Sequence, residues 1–335
     1  MKKIISSKRG AEIIERFPKS KVLVVGDIMF DHFIWGRVSR ISPEAPVPVV
    51  DVRAENFMLG GCANALHNIY SMGGQVYLAG VVGEDDMGAM LLRRFQNMKI
   101  STKGVVTESH RPTTIKTRVI AHNQQIVRFD RESCRPISES SIAKIIDYIK
   151  TLRNDLGAIV ISDYEKGVVT KTLLDEIHHL FSGRGVIICV DPKKKDFSLY
   201  HGVDVIKPNH REAEWMLGVN DLNGNEAGKG FEIKRAVKKL LEQLDLKALL
   251  ITRGEKGMTL FEAGAKLVQT NFATEAKEVF DVSGAGDTAI GVFALAAASG
   301  STFKEAAYLA NHAAGIVVGK VGISTVSRKE LKKVL

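Results

Sequence analysis

The sequence predicts an α/β fold, in which a mostly parallel sheet lies between two layers of helices and carries a small β-strand lid. Three observations predict it. Short apolar, β-branched runs alternate with amphipathic helical runs along most of the 335 residues, the rhythm of βαβ units covered on both faces. Two stretches, about 33–57 and 113–130, break that rhythm with extended or alternating residues. No repeat, low-complexity tract or linker divides the chain, so a single domain over 1–335 with two inserted lid segments is expected.

Taken in order, strands are expected at 22–26, 76–82, 158–162, 186–190, 203–206 and 249–252, where apolar runs are too short for helices. Helices are expected near 64–71, 88–97, 140–152, 171–180, 211–217 and 231–244, where apolar residues recur at helical spacing. Pro43, Pro46 and Pro48 exclude helix from most of 33–57, and 113–130 alternates as a strand does. A turn at Lys256-Gly257 joins 258–261 to 266–270 as a hairpin, and two long helices finish the chain.

Composition narrows the function classes. With 45% hydrophobic and 25% charged residues the chain is globular, and its three cysteines, Cys62, Cys134 and Cys189, form no CxxC pair. Reduced thiols in a cytoplasmic protein are expected. The lysine-led N-terminus lacks the apolar core of a signal peptide, and the longest apolar stretch, around 290–298, is well short of the roughly 18 residues a spanning helix needs. No membrane partner is expected. The balance of 47 basic and 38 acidic residues gives +9, which favours anionic partners. The only strong basic run, Lys193-Lys194-Lys195, reads as a solvated loop after a strand, so nucleic acid is not expected.

Five motifs can carry chemistry. Gly284-Ala285-Gly286-Asp287 opens a helix of small residues, where glycines admit a ligand to backbone N–H groups and the helix terminus favours an anion. Asp287 either caps that helix or takes the proton from an attacking hydroxyl beside a bound phosphate. Gly60-Gly61 precedes Asn64 on an apolar helix, either as a packed helix start or as a place where a sugar meets the main chain. Asp27 and Asp31 sit where the first strand should end, either capping a turn or holding hydroxyls. Asn209 and Glu212 have the spacing of a capping box and could also hold water around Mg²⁺. The turn at Thr252, Gly254 and Gly257 would let a nucleotide approach the backbone.

Rival fingerprints fail. The stretch 224–230 resembles a P-loop but has one residue too few between its glycines and no following Ser or Thr. The first strand lacks Gly-x-Gly-x-x-Gly, and the adjacent His178 and His179 point apart on a helix.

The ordered set Gly60-Gly61-x-x-Asn64, Ser162-Asp163-Tyr164-x-Lys166-Gly167, Asn209-x-x-Glu212 and Gly284-Ala285-Gly286-Asp287 resembles the ribokinase-like, pfkB-type carbohydrate kinases over about 15–330. Arg40 to Val49, Val127-Arg128-Phe129-Asp130 and Val190-Asp191-Pro192-Lys193 resemble more narrowly the heptose 7-phosphate kinases of the ADP-heptose pathway. That resemblance implies ATP-dependent phosphorylation of the anomeric hydroxyl of D-glycero-β-D-manno-heptose 7-phosphate to the 1,7-bisphosphate. It implies Asp287 as general base and the N–H groups of Gly284, Ala285 and Gly286 as the anion hole. Asp27, Asp31, Gly60, Gly61 and Asn64 would hold the sugar, with Arg40, Arg128 and Lys166 as candidates for its phosphate. Asn209 and Glu212 would organise Mg²⁺ and the ATP phosphates, while Thr252, Gly254, Gly257 and Asn311 would line the nucleotide pocket. A homodimer formed through the lids is implied, and some members also use K⁺ near the anion loop. Many relatives continue into an adenylyltransferase domain with a His-x-Gly-His motif, which this chain lacks, so a single-function kinase is expected. The alternatives are another ribokinase-like kinase, acting on a fructose phosphate or ribose, and a sugar-phosphate sensor without catalysis.

Overall fold

A computed structural model of the chain describes residues 4–122, 124–193, 196–220, 222, 229–276, 278–320 and 322–335. The N-terminal helix α1 (Ser7–Arg16), capped by the Ser6 side chain, leads into strand β1 (Lys21–Ile41). There follow β2 (Pro48–Gly61), α2 (Cys62–Ser71), β3 (Gln75–Gly83), α3 (Asp86–Asn97), β4 (Gly104–Glu108), β5 (Thr114–Ala121) and β6 (Gln124–Arg131). The chain continues through α4 (Glu139–Thr151), β7 (Ala158–Ser162), α5 (Lys171–Phe181), β8 (Ile187–Asp191), β9 (Val205–Ile206), α6 (His210–Leu217) and α7 (Lys229–Leu244). It ends with β10 (Ala248–Thr252), β11 (Met258–Glu262), β12 (Val268–Phe272), α8 (Ala285–Ala298), α9 (Phe303–Val318) and α10 (Arg328–Val334).

The central sheet has the order β12-β11-β10-β9-β8-β7-β1-β3-β4, parallel from β4 to β10, with an antiparallel hairpin at one edge. Its inner strands, such as β7 and β10, are buried on both faces, as helices on each side require. Along β1 the side chains alternate between two cores: Val22 and Val24 pack with Phe293, Leu295 and Leu309, whereas Leu23 and Val25 pack with Ile145, Ile177 and Leu241.

The first strand is much longer than expected. The sequence places its end at Gly26, before two carboxylates, but β1 runs on to Ile41 and carries Asp27 and Asp31 inside it. Up to Asp27 it pairs with β3 and β7; from Ile28 it pairs with β2, and from Met29 with β5. One strand therefore belongs to both the core sheet and a lid sheet of order β2-β1-β5-β6. Gly26 allows the transfer, since its φ of 149° and a Cβ position 2.0 Å from the Ser162 carbonyl leave no room for a side chain.

The lid therefore starts at Ile28 rather than near residue 33, and 113–130 resolves into the β5–β6 hairpin. Strand β9 is shorter than the 203–206 expected, and a third helix, α10, follows the two long ones. Helix α1, not among the expected helices, buries Ile13 and Ile14 on one face and sets its Gly10 against Leu335, joining the two ends of the chain. Lys194-Lys195 and residues 224–228 of the P-loop-like stretch lie outside the described residues, while Lys229 and Gly230 open α7.

Candidate active site

Two helices start side by side at the core of the site. Helix α8 is apolar on all sides and buried from Asp287 to Ala296, as a helix between a sheet and other helices must be. It approaches α2 so closely that a Cβ on Gly291 would lie 2.9 Å from the Ala65 carbonyl. Thr288 Oγ1 donates to Asn68 Oδ1 at 2.9 Å, and Asn68 Nδ2 donates to Asn64 Oδ1 at 3.2 Å. Asn64 Nδ2 in turn donates to Asp287 Oδ2 at 2.8 Å, and Tyr164 OH donates to Asp287 Oδ1 at 2.8 Å. Burial, with Asp191 nearby, pushes the Asp287 carboxyl up to about 7 despite those two donors. A carboxylate poised there suits a base working near neutral pH.

Gly284 caps α8 in the left-handed region, φ 79°, and a side chain on it would meet Asn64 Nδ2 at 2.6 Å. Gly61 caps α2 at φ 52°, with its Cβ position 2.8 Å from the Asp27 carbonyl. First-turn N–H groups at a helix start lack intrahelical acceptors, which makes the Gly284-Ala285-Gly286 turn an anion cradle. Ala285 N–H leans back on the Val282 carbonyl at 3.3 Å.

Asp27 and Asn64, expected at the sugar hydroxyls, each have partners within the chain. Asp27 accepts from the N–H groups of Tyr164, Lys166 and Val168 at 2.7, 3.1 and 3.2 Å. Its carboxyl, pushed up to about 6 by burial and by Asp163, holds the 163–168 loop. Asp163 pins the same loop from the other side, accepting from Glu165 N–H at 2.8 Å and Tyr200 OH at 2.7 Å. Asn64 is engaged at both ends of its amide.

A cavity of about 1020 Å³ opens at the C-terminal ends of the strands and includes all six residues expected at the nucleotide: Asn209, Glu212, Thr252, Gly254, Gly257 and Asn311. Ala285 and Gly286 close its inner end, and the exposed apolar Val279 and Val282 flank its mouth. Gly257 needs its φ of 79°, because a Cβ there would sit 2.1 Å from the Phe272 carbonyl. Asn311 donates to the Ala273 carbonyl at 2.7 Å.

Sequence reasoning assigned no role to the ion pair at the cavity floor. Lys207, 2% exposed, meets Asp191 at 3.0 Å, and its ammonium lies 3.5 Å from the Cβ position of Gly286. In the sequence each ends or follows a parallel strand, and Asp191 also falls in the 190–193 segment that carries the narrower resemblance. The Asn209–Glu212 capping box is present, and Glu212 also meets Lys193 at 2.6 Å. Mg²⁺ keeps most of its waters and needs one or two protein oxygens. The carboxylates of Glu212 and Asp191, both facing the cavity, fit such an ion through water.

On the lid side, Asp31 stands across the strands from Lys116, and Lys116 from Asp130; two residues on, Arg118 stands across from Arg128. Period-two alternation puts these side chains on one face. Arg118 pairs with Asp31, Lys116 with Asp130 and Glu132, Lys166 with Glu132, and Arg128 with Asp130. Four cations thus face three carboxylates. Lys116 and Arg118 went unassigned from sequence because alternation alone does not say which face meets the site. Gly60 lies against this cluster, its Cβ position 2.3 Å from Asp31 Oδ2. Arg40 is not brought there: it is exposed, nine residues beyond Asp31 and about 30 Å away at strand rise.

The profile of the pfkB family carbohydrate kinases matches residues 19–330. The chain belongs to that family. As a pfkB-type sugar kinase it is an enzyme that transfers phosphoryl groups to sugars, with ATP and Mg²⁺ as the family's general requirements. It is 46% identical to the bifunctional protein HldE of Geobacter sulfurreducens over 92% of its own length and 61% of that protein's. It is 45% identical to the bifunctional protein HldE of Citrifermentans bemidjiense over 95% and 63%. The chain thus spans less than two thirds of these curated relatives. In fold, this pfkB-family chain is similar to Arabidopsis thaliana ribokinase complexed with ribose and ATP, with a TM-score of 0.72 at 20% identity, covering 94% and 98% of the two chains. It is similar also to Escherichia coli phosphofructokinase-2 in complex with substrates and products, with 0.76 at 17% identity, covering 94% and 98%. The ribokinase-like architecture expected from the motifs is therefore present. Among the described residues no helix is long and apolar enough to cross a membrane, and no cluster of three or more His, Cys, Asp or Glu residues could hold a metal ion.

Proposed function

We propose that this pfkB-family chain phosphorylates the anomeric C1 hydroxyl of D-glycero-β-D-manno-heptose 7-phosphate with ATP, giving the 1,7-bisphosphate. The observation that carries the reading is the position of Asp287, a buried base between a nucleotide-sized cavity and a cationic lid face. The heptose assignment is supported by the 40–49, 127–130 and 190–193 segments and by the likeness to the bifunctional HldE proteins.

Asp287 accepts the C1 hydroxyl proton as that oxygen attacks the γ-phosphorus and ADP leaves. Such a base contributes about 10²–10⁴-fold. The Gly284–Gly286 turn and Lys207 face the charge on the transferring group, where fixed donors act without reorganising. Glu212 and Asp191, beside Asn209, would hold Mg²⁺ through water, and the ion would neutralise charge at the phosphates. Lys116 and Arg118 join Lys166 and Arg128 as the clamp for the 7-phosphate, and Asp31 takes a sugar hydroxyl once Arg118 turns to the phosphate. Asp27 serves by holding the Tyr164–Lys166 loop.

An assay of ADP release across sugar phosphates, with the product read by phosphorus NMR, tests the proposal. Heptose 7-phosphate should give a second phosphorus signal at C1. Turnover of fructose 6-phosphate or ribose with none of the heptose would replace the reading by another sugar kinase. The exposed lid residues Ile41, Val52, Val127 and Phe129 support pairing of two copies through their lids, which light scattering should report as a dimer.

A further inference from the structure

Both oxygens of Asp287 are occupied, but by partners of different kinds. Asn64 is locked from behind by Asn68 and Thr288. Tyr164 is half-buried and lines the nucleotide cavity, and its side chain reaches Asp287 from a loop whose backbone is fixed by Asp27. The ring borders that cavity, while Asp27 holds the backbone N–H behind it. The phenol stays protonated and donates here, since burial and the facing Asp287, Asp191 and Asp31 push its pKa well above the usual range.

We propose that Tyr164 is a placeholder on the base: in the free enzyme its hydroxyl occupies the position on Asp287 Oδ1 that the attacking sugar hydroxyl takes, and it yields when the sugar enters. The proposal rests on the reading of Asp287 as general base. While Tyr164 is seated, water has no place on that oxygen, so ATP bound without sugar is protected from hydrolysis. When the sugar displaces it, the hydrogen bond that Tyr164 gave to Oδ1 is replaced by one from the hydroxyl that is about to lose its proton to Asp287. The other groups acting on Asp287, namely Asn64, Cys62, Asp191 and Lys207, keep their places throughout.

Tyr164→Phe removes the hydroxyl and leaves a space that one water can fill beside Oδ1. Sugar-independent ADP release should rise about tenfold, the worth of one lost hydrogen bond. The acid limb of kcat/KM, which reports the free enzyme, should move to higher pH, while that of kcat, which reports the complex after Tyr164 has left, should stay. A merely structural role would lower kcat and leave both limbs in place. Tyr164→Leu should change both readouts in the same direction, which covers the case in which Tyr164→Phe fails to fold. Asp287→Asn, run in parallel, separates the two ideas. If it still turns over, the base assignment falls. If it is inactive while both Tyr164 variants leave sugar-independent ADP release and both limbs unchanged, the placeholder alone falls.

Discussion

Asn64 Nδ2 donates to Asp287 Oδ2 across 2.8 Å, so the first turn of one helix orients the carboxylate on the first turn of another. Asp287→Asn should keep that contact through its amide oxygen and keep the fold. It should bind ATP with nearly unchanged affinity and lose about 10²–10⁴-fold in kcat. Calorimetric ATP binding beside steady-state rates checks this, and a variant with near-normal turnover refutes the assignment.

Acid should switch the enzyme off. Asp287 must be ionised to accept a proton, and its carboxyl is pushed up to about 7, so rates should fall about tenfold per pH unit below that value. Stability should move in the opposite direction. The folded-state value lies above the ordinary 3.8, so between about pH 4 and 7 the folded state binds more protons than the unfolded one. This group's contribution therefore falls as pH rises through that window. The Tm of Asp287→Asn minus that of the wild type should grow from pH 4 to pH 8, and a flat difference would refute the raised value.

Lys207 and Asp191 form a nearly dry pair beneath the phosphate turn, with side chains 3% and 15% exposed. Lys207→Met leaves Asp191 without its cation and should cost about 3 kcal/mol of stability in urea unfolding. The double variant Lys207→Met, Asp191→Leu should recover most of that loss. Neither should recover activity, because the ammonium also faces the phosphates. Restored turnover in the double variant would show the pair to be structural only.

On the lid, Lys116→Ala and Arg118→Ala should each raise KM for the sugar phosphate by about 10–100-fold, the worth of a charge-assisted hydrogen bond. KM for ATP should stay within about twofold of the wild type, as expected of residues that touch only one substrate. Preference for a phosphorylated over an unphosphorylated sugar should shrink equally. Parallel changes in both KM values would mean that the two residues hold the lid rather than the phosphate.

The sequence and the structure agree best where a pattern has a single physical reading. Continuous apolar runs such as Leu23 to Val25 need two covered faces, and Asn209 with Glu212 can form a capping box whatever else they do. Gly284 to Asp287 and five of the six nucleotide-side residues also fall together, because each sits at or just beyond a strand or helix end on one side of a parallel sheet, while Asn311 joins them from the middle of α9. The sequence says least where local chemistry has two readings. Gly26-Asp27 looks like the end of a strand, yet a glycine can also let a strand change sheets. Asp27 and Asn64 look free to meet a ligand, yet their partners, the 164–168 backbone and Asp287, are more than a hundred residues away in sequence. Arg40 belonged to a distinctive segment, but distance along a strand cannot be judged before the strand's length is known.

That single strand, β1, also governs how the molecule comes apart. Its residues 22–26 are locked between β3 and β7, and its residues 29–36 between β2 and β5, with no loop to uncouple them. The lid therefore has no folding history of its own. Partners drawn from positions 48–61, 75–81, 114–121 and 158–162 must assemble on one template, a high-contact-order step that should make folding slow and cooperative. Amide-exchange protection should decline smoothly outward from Val24 toward Ile41, as fraying from one end of a single beam, without the step that separates two independently opening units.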